Sequence, residues 1–121
     1  MSQSTKVAPP NSLLVISDRN GGKPPYPVWG AQILSTPSCV TVACYPSQDG
    51  ETEVTLGAAH IVDPHTHPVF DAMLETPGRA VIVSTVERET ILKEQVQATF
   101  TRVRIWVNDP KFPDKVIIGW G

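Results

Sequence analysis

The sequence predicts an all-β fold, a single-domain antiparallel β-sandwich of about seven or eight short strands. Three observations lead there. The apolar runs are rich in β-branched residues, and no long stretch repeats at a helical period. Proline is abundant, 12 residues in 121, which breaks helices and central strands and favours short elements with stiff connections. The longest patterned run, Thr99-Phe100-Thr101-Arg102-Val103-Arg104-Ile105-Trp106-Val107, alternates cleanly. It puts Val103, Ile105 and Val107 on one face and Phe100, Arg102, Arg104 and Trp106 on the other. Ala80-Val81-Ile82-Val83 is apolar on both faces, as a strand covered on both sides would be.

A chain of 121 residues is one domain by size. Such a domain buries roughly 65% of its unfolded surface and needs neither disulfide nor metal to fold. Apolar content of 40% with 18% charged residues is a globular balance. The net charge of −2 gives no general attraction to nucleic acid or to an anionic membrane. No signal peptide and no membrane-length apolar run is visible, so the expected compartment is the cytoplasm. Cys39 and Cys44 are five apart, so on one strand they point to opposite faces and cannot bridge each other. They are expected to be buried, unreactive thiols.

Residues 1–11 are polar and proline-bearing and are expected to be a flexible segment ahead of a domain over 12–121. Leu13-Leu14-Val15-Ile16 is the first strand candidate, ended by the turn-forming Asp18-Arg19-Asn20-Gly21-Gly22. Lys23-Pro24-Pro25-Tyr26-Pro27 favours polyproline II, as a stiff surface connection or as a ligand for an aromatic groove. The stretch 28–34 reads as a short strand or as a loop tucking Trp29 onto the core. Residues 38–45 and 51–58 alternate and flank Pro46-Ser47-Gln48-Asp49-Gly50, which predicts a hairpin over 38–58. Residues 69–75 fit a helix opened by Pro68 or a strand. The strand is preferred, because Thr76-Pro77-Gly78-Arg79 suits a turn into the strand at Ala80. Further strands are expected over 91–96, 99–107 and 116–118.

Two groups of residues could carry function. The run His60-Ile61-Val62-Asp63-Pro64-His65-Thr66-His67-Pro68 holds all three histidines of the chain, with Asp71 just beyond. On an extended segment His65 and His67 project to one side, and with His60, Asp63 or Asp71 they could offer a two-histidine, one-carboxylate set to Zn or Fe. Asp63-Pro64-His65-Thr66-His67 is similar to the first metal-binding strand of the amidohydrolases, but their barrel needs about 250 residues. It also departs from the cupin pattern, because the next glutamate, Glu75, lies too far along. Two flanking prolines suit a surface loop instead. No nucleophile elbow or phosphate-cradling loop is present.

The second group is the face carrying Phe100, Arg102, Arg104 and Trp106. Open to solvent, it is an arginine and aromatic stripe of the kind enriched at binding hot spots. Covered, it would pack its rings under a loop and pair its arginines with Glu87, Glu89 or Glu94 on a neighbouring strand.

The order of elements over the last two-thirds of the chain resembles one known family. A hairpin over 39–58 is followed by a Pro-Gly turn, Ala80-Val81-Ile82-Val83-Ser84, a polar break, the long strand to Trp106-Val107 and a terminal Val116-Ile117-Ile118. This is similar to the bacterial competence-associated inhibitors of the DNA-entry nuclease, small β-proteins that bind and silence a partner enzyme. The resemblance is one of pattern and assigns no binding residue. It implies a bacterial, inhibitor-like binding protein. The expectation is thus a non-catalytic protein that takes a protein partner or self-associates and holds no cofactor. The alternative is a Zn- or Fe-binding β-protein using His65-Thr66-His67.

Overall fold

The alternating runs become strands whose apolar rows face each other across one core. The computed structural model describes residues 2–121. The first sheet holds β1 (Ser2–Val7), β5 (Thr52–Ala58), β10 (Lys115–Trp120), β9 (Phe100–Val107) and β6 (Phe70–Glu75), in that order. The second holds β3 (Ile33–Thr36), β4 (Cys39–Ala43), β2 (Leu13–Ser17), β7 (Ala80–Ser84) and β8 (Thr90–Gln95). The fold is the expected all-β sandwich, with ten strands among the described residues instead of seven or eight. It is not purely antiparallel, because β10 runs parallel to β5 while pairing antiparallel with β9.

Leu14, Ile16, Val40, Val42, Val81 and Val83 of the second sheet meet Val54, Leu56, Val103, Ile105, Val116 and Ile118 of the first, and all twelve are at most 1% exposed. Each such side chain contributes about 1.5–3 kcal/mol by leaving water. The long edges of the sandwich are tied by polar contacts. At one, the Gln3 side chain donates to the Lys93 carbonyl of β8. At the other, the Glu75 N–H donates to the Pro37 carbonyl beside β3.

Several expectations are corrected. Residues 2–7 are not a flexible segment but strand β1, registered on β5 from Ser2↔Gly57 to Val7↔Thr52. Backbone hydrogen bonds hold that polar stretch, which hydrophobic patterning does not register. Residues 38–58 do not form a hairpin. β4 and β5 lie in opposite sheets, and Pro46–Gly50 carries the chain across. Short sequence separation made them look like partners, but both alternate and each finds a longer-range neighbour. Trp29 does not tuck onto the core; it is fully exposed in the loop before β3. Residues 70–75 are strand, as preferred.

One buried polar group joins distant loops. Asp18, 2% exposed, follows β2. Its Oδ2 accepts from the N–H of Asn20 at 3.0 Å and of Gly78 at 2.8 Å, and its Oδ1 from that of Ala80 at 3.3 Å. The turn at 76–79 closes with the Arg79 N–H on the Thr76 carbonyl. The positive φ falls on Arg79, not on Gly78. Gly78 is needed for room: a Cβ there would lie 2.7 Å from Asp18 Oδ2. Asp18→Ala strands these N–H groups, and it is expected to cost about 3 kcal/mol in urea unfolding with the m-value unchanged. A loss below about 1 kcal/mol would show that water replaces the carboxylate without penalty.

Candidate functional site

The outer face of the first sheet carries the predicted stripe, and the structure divides it in two. Gly57 of β5 and Gly119 of β10 are register partners on this face. With no side chains there, the single helical turn α1 (Ala59–Val62) lies directly on the sheet. A Cβ on Gly119 would come to 3.0 Å from Ala59 Cα and from the Trp106 ring, and one on Gly57 to 2.8 Å from Val62 Cγ1. The chain then passes over Trp106, whose Nε1 donates to the Thr66 carbonyl at 2.9 Å. Trp106 is therefore 3% exposed and is not part of an open stripe.

The other end is open. Across β6 and β9, Arg104 faces Asp71, Arg102 faces Met73 and Phe100 faces Glu75. Phe100 and Met73 are 58% and 56% exposed and sit diagonally across the strand pair. Arg102 grips Asp71 with both prongs, Nε to Oδ1 at 2.8 Å and Nη2 to Oδ2 at 2.7 Å. Neither arginine pairs with Glu87, Glu89 or Glu94; the partner is on β6. Arg102's hydrogen bonds hold the Asp71 carboxyl below its ordinary range, helped by the charges of Arg102, Arg104 and His67 against slight burial. Arg104 donates from Nη2 to the Gly121 carbonyl at 3.1 Å and stacks 5.9 Å from the Trp106 ring centre, bridging the sealed and open ends.

The histidines do not converge. His60 sits exposed on α1, and His65 and His67 are exposed in the loop over Trp106. His65 has φ of 64°, and its N–H donates to Asp63 Oδ1 at 2.6 Å. That left-handed residue breaks the extended geometry which would have aimed His65 and His67 together. Among the described residues no three His, Cys, Asp or Glu side chains gather closely enough to hold a metal ion.

A concavity that sequence reasoning missed lies on the opposite side of the molecule. Leu13 and Val15 of β2, Leu34 of β3, Cys39 of β4 and Ile82 of β7 floor an open groove of about 860 Å³. The proline-bearing loop 23–28 forms its wall. That loop starts from a fixed point: the Lys23 N–H donates to Ser38 Oγ and its carbonyl accepts from Thr36 Oγ1. The floor comes from four strands that only the sheet order brings together, so no local motif marks it. Cys39 and Cys44 are both buried, and burial pushes their thiols up in pKa, as expected of unreactive cysteines. Among the described residues no helix is long and apolar enough to cross a membrane.

No family model matches this sequence, and no curated protein does. Its fold does have a solved counterpart. The chain is similar to the crystal structure of ComJ, inhibitor of the DNA degrading activity of NucA, from Bacillus subtilis, with a TM-score of 0.68 at 8% identity. The likeness covers 99% of this chain and 96% of that one. The resemblance to the competence-associated nuclease inhibitors therefore holds at the level of the fold.

The lowered pKa of Asp71 sets a pH dependence. The stability it lends is fully present above the ordinary aspartate value, near 3.9, and is lost as pH falls through the lower folded value. Wild type is expected to exceed Asp71→Asn slightly in unfolding midpoint at pH 7, with the gap shrinking below about pH 4 and in high salt. A gap that widens on acidification would contradict the pairing.

Proposed function

We propose that this chain is a non-catalytic binding protein that engages a partner protein through the open end of its first sheet and acts on it as an inhibitor. The observation that carries the reading is the adjacent exposure of Phe100 and Met73 on paired strands, flanked by the Arg102–Asp71 fork. Aromatic, methionine and arginine side chains are the types enriched where protein partners meet. Here they stand on strands β6 and β9, so little backbone ordering is lost on docking. Arg102 can release or share Asp71 to meet a carboxylate of the partner in the same bidentate geometry.

Full-length likeness in fold to ComJ supports an inhibitor-like role. ComJ is an inhibitor of a DNA-degrading activity, so a DNA-degrading enzyme is the first partner to test for this chain. The net charge of −2 favours contact with such an enzyme over contact with its nucleic-acid substrate.

Purified protein added to a nuclease-active extract of its source cells is expected to slow the degradation of labelled duplex DNA. Phe100→Ala combined with Met73→Ala, and separately Arg102→Glu, are each expected to raise the amount needed by about tenfold or more while leaving the circular-dichroism spectrum unchanged. Absence of inhibition by wild type, or variants that inhibit equally well, would contradict the reading.

A further inference from the structure

The outer face of the second sheet has an unusual composition for a solvent-facing surface. Such faces are ordinarily polar, yet this one sets Leu13, Val15, Leu34 and Ile82 among Ser17, Thr41 and Ser84. The wall is stiff, because Pro24, Pro25 and Pro27 each fix a backbone dihedral, hydrogen bonds at Lys23 anchor its start, and the Ala31 N–H closes a turn on the Val28 carbonyl. On this pinned loop Tyr26 is 90% exposed and Trp29 102% exposed.

Charge indicates the occupant. Asp18, Arg19 and Arg88 are the charged residues lining the groove. Asp18 is buried and its carboxylate is taken up by the backbone N–H groups of Asn20, Gly78 and Ala80. Arg19 and Arg88 are exposed and form no ion pair among the described residues. Glu87 and Glu89 adjoin Arg88 in sequence but do not line the groove. The free charge here is therefore positive. Its placement is also informative. Arg19 follows the end of β2, and Arg88 lies in the turn after β7. β2 and β7 run antiparallel with Ser17 opposite Ile82 and Val15 opposite Ser84, so the guanidinium groups lie toward opposite ends of the floor.

We propose that this groove docks an extended segment of a partner protein, apolar in its middle and carrying a carboxylate toward each end. The apolar residues lie on Val15 and Ile82, the carboxylates meet Arg19 and Arg88, and Pro24, Pro25 and Val28 flank the segment from the loop. Leu13 to Ser17 spans the floor along β2, so at about 3.3 Å per residue the carboxylates sit about four to six residues apart. The site lies on the opposite sheet from Phe100 and Met73, so it stands or fails independently of the proposed inhibitory face.

The test is a titration followed by amide nuclear magnetic resonance shifts. The probes are acetyl-Glu-Leu-Thr-Val-Leu-Glu-amide and the same peptide with lysines in place of the glutamates. The glutamate peptide is expected to shift the amides of Val15, Ile82 and Val28, and to bind at least about tenfold more tightly than the lysine peptide. Arg19→Glu with Arg88→Glu, both exposed changes, is expected to reverse that preference. Four outcomes would overturn the proposal: no shift with either peptide, equal binding of both, shifts confined to β6 and β9, or concentration-dependent shifts in the groove without peptide, which would mean that a second copy of the chain fills it.

Discussion

Two hydrogen atoms standing where side chains would be decide what the first sheet can offer. The parallel pairing of β5 with β10 brings Gly57 beside Gly119. Only there can α1 rest against backbone, and from there the chain is led over Trp106. The large ring leaves water, its N–H is satisfied, and the histidine-bearing loop becomes a cover. Beyond the reach of that cover the same sheet stays open, and Phe100, Met73 and the Arg102–Asp71 fork are what it presents. One packing event thus separates a sealed half from an accessible half on a single surface.

The second sheet meets the same demand differently. Both of its faces carry apolar residues, but the expectation from Ala80-Val81-Ile82-Val83 that the strand is covered on both sides holds only on the inner face; on the outer one Ile82 floors an open groove. The inner row is buried against β9 and β10. The outer row gets no helix, only a loop whose prolines hold it away from the sheet. A segment lacking three backbone donors is poorly suited to become a further strand. It therefore stands as a wall beside an apolar floor, and the result is a trough and not a second closed layer. Asp18 holds the end of this arrangement by tying the turn after β2 to the turn before β7.

Most of the fold was legible in the sequence because most strands alternate. β4, β5, β6 and β9 sit within the runs that patterning marked, and β2, β7, β8 and β10 overlap theirs and extend one to three residues beyond. What patterning could not supply was partnership. β4 and β5 are near in sequence and separate in space, whereas β5 and β10 are remote in sequence and adjacent in space. β1 was illegible for another reason: Ser2–Val7 is held by backbone ladder bonds, to which side-chain hydropathy is blind. The same limits govern the sites. Alternation put Arg102 and Phe100 on one face with Trp106 but left open whether that face was exposed or covered; in the structure Phe100 is 58% exposed. Trp106 shares that alternation, yet its burial depends on two glycines that meet only in the folded sheet. The histidine spacing suggested a ligand pair, and one left-handed residue, His65, removes the geometry. The groove draws its floor from four strands, so no window of sequence contains it.

The division of the outer faces into sealed and open regions is the claim on which both binding readings stand. Hydroxyl-radical footprinting of the free protein in solution measures it directly, residue by residue. The account predicts rapid oxidation of Met73, Phe100, Tyr26 and Trp29 and slow oxidation of Trp106. Trp106 reacting as fast as Trp29, or protection of Met73 and Phe100 in the protein alone, would contradict it.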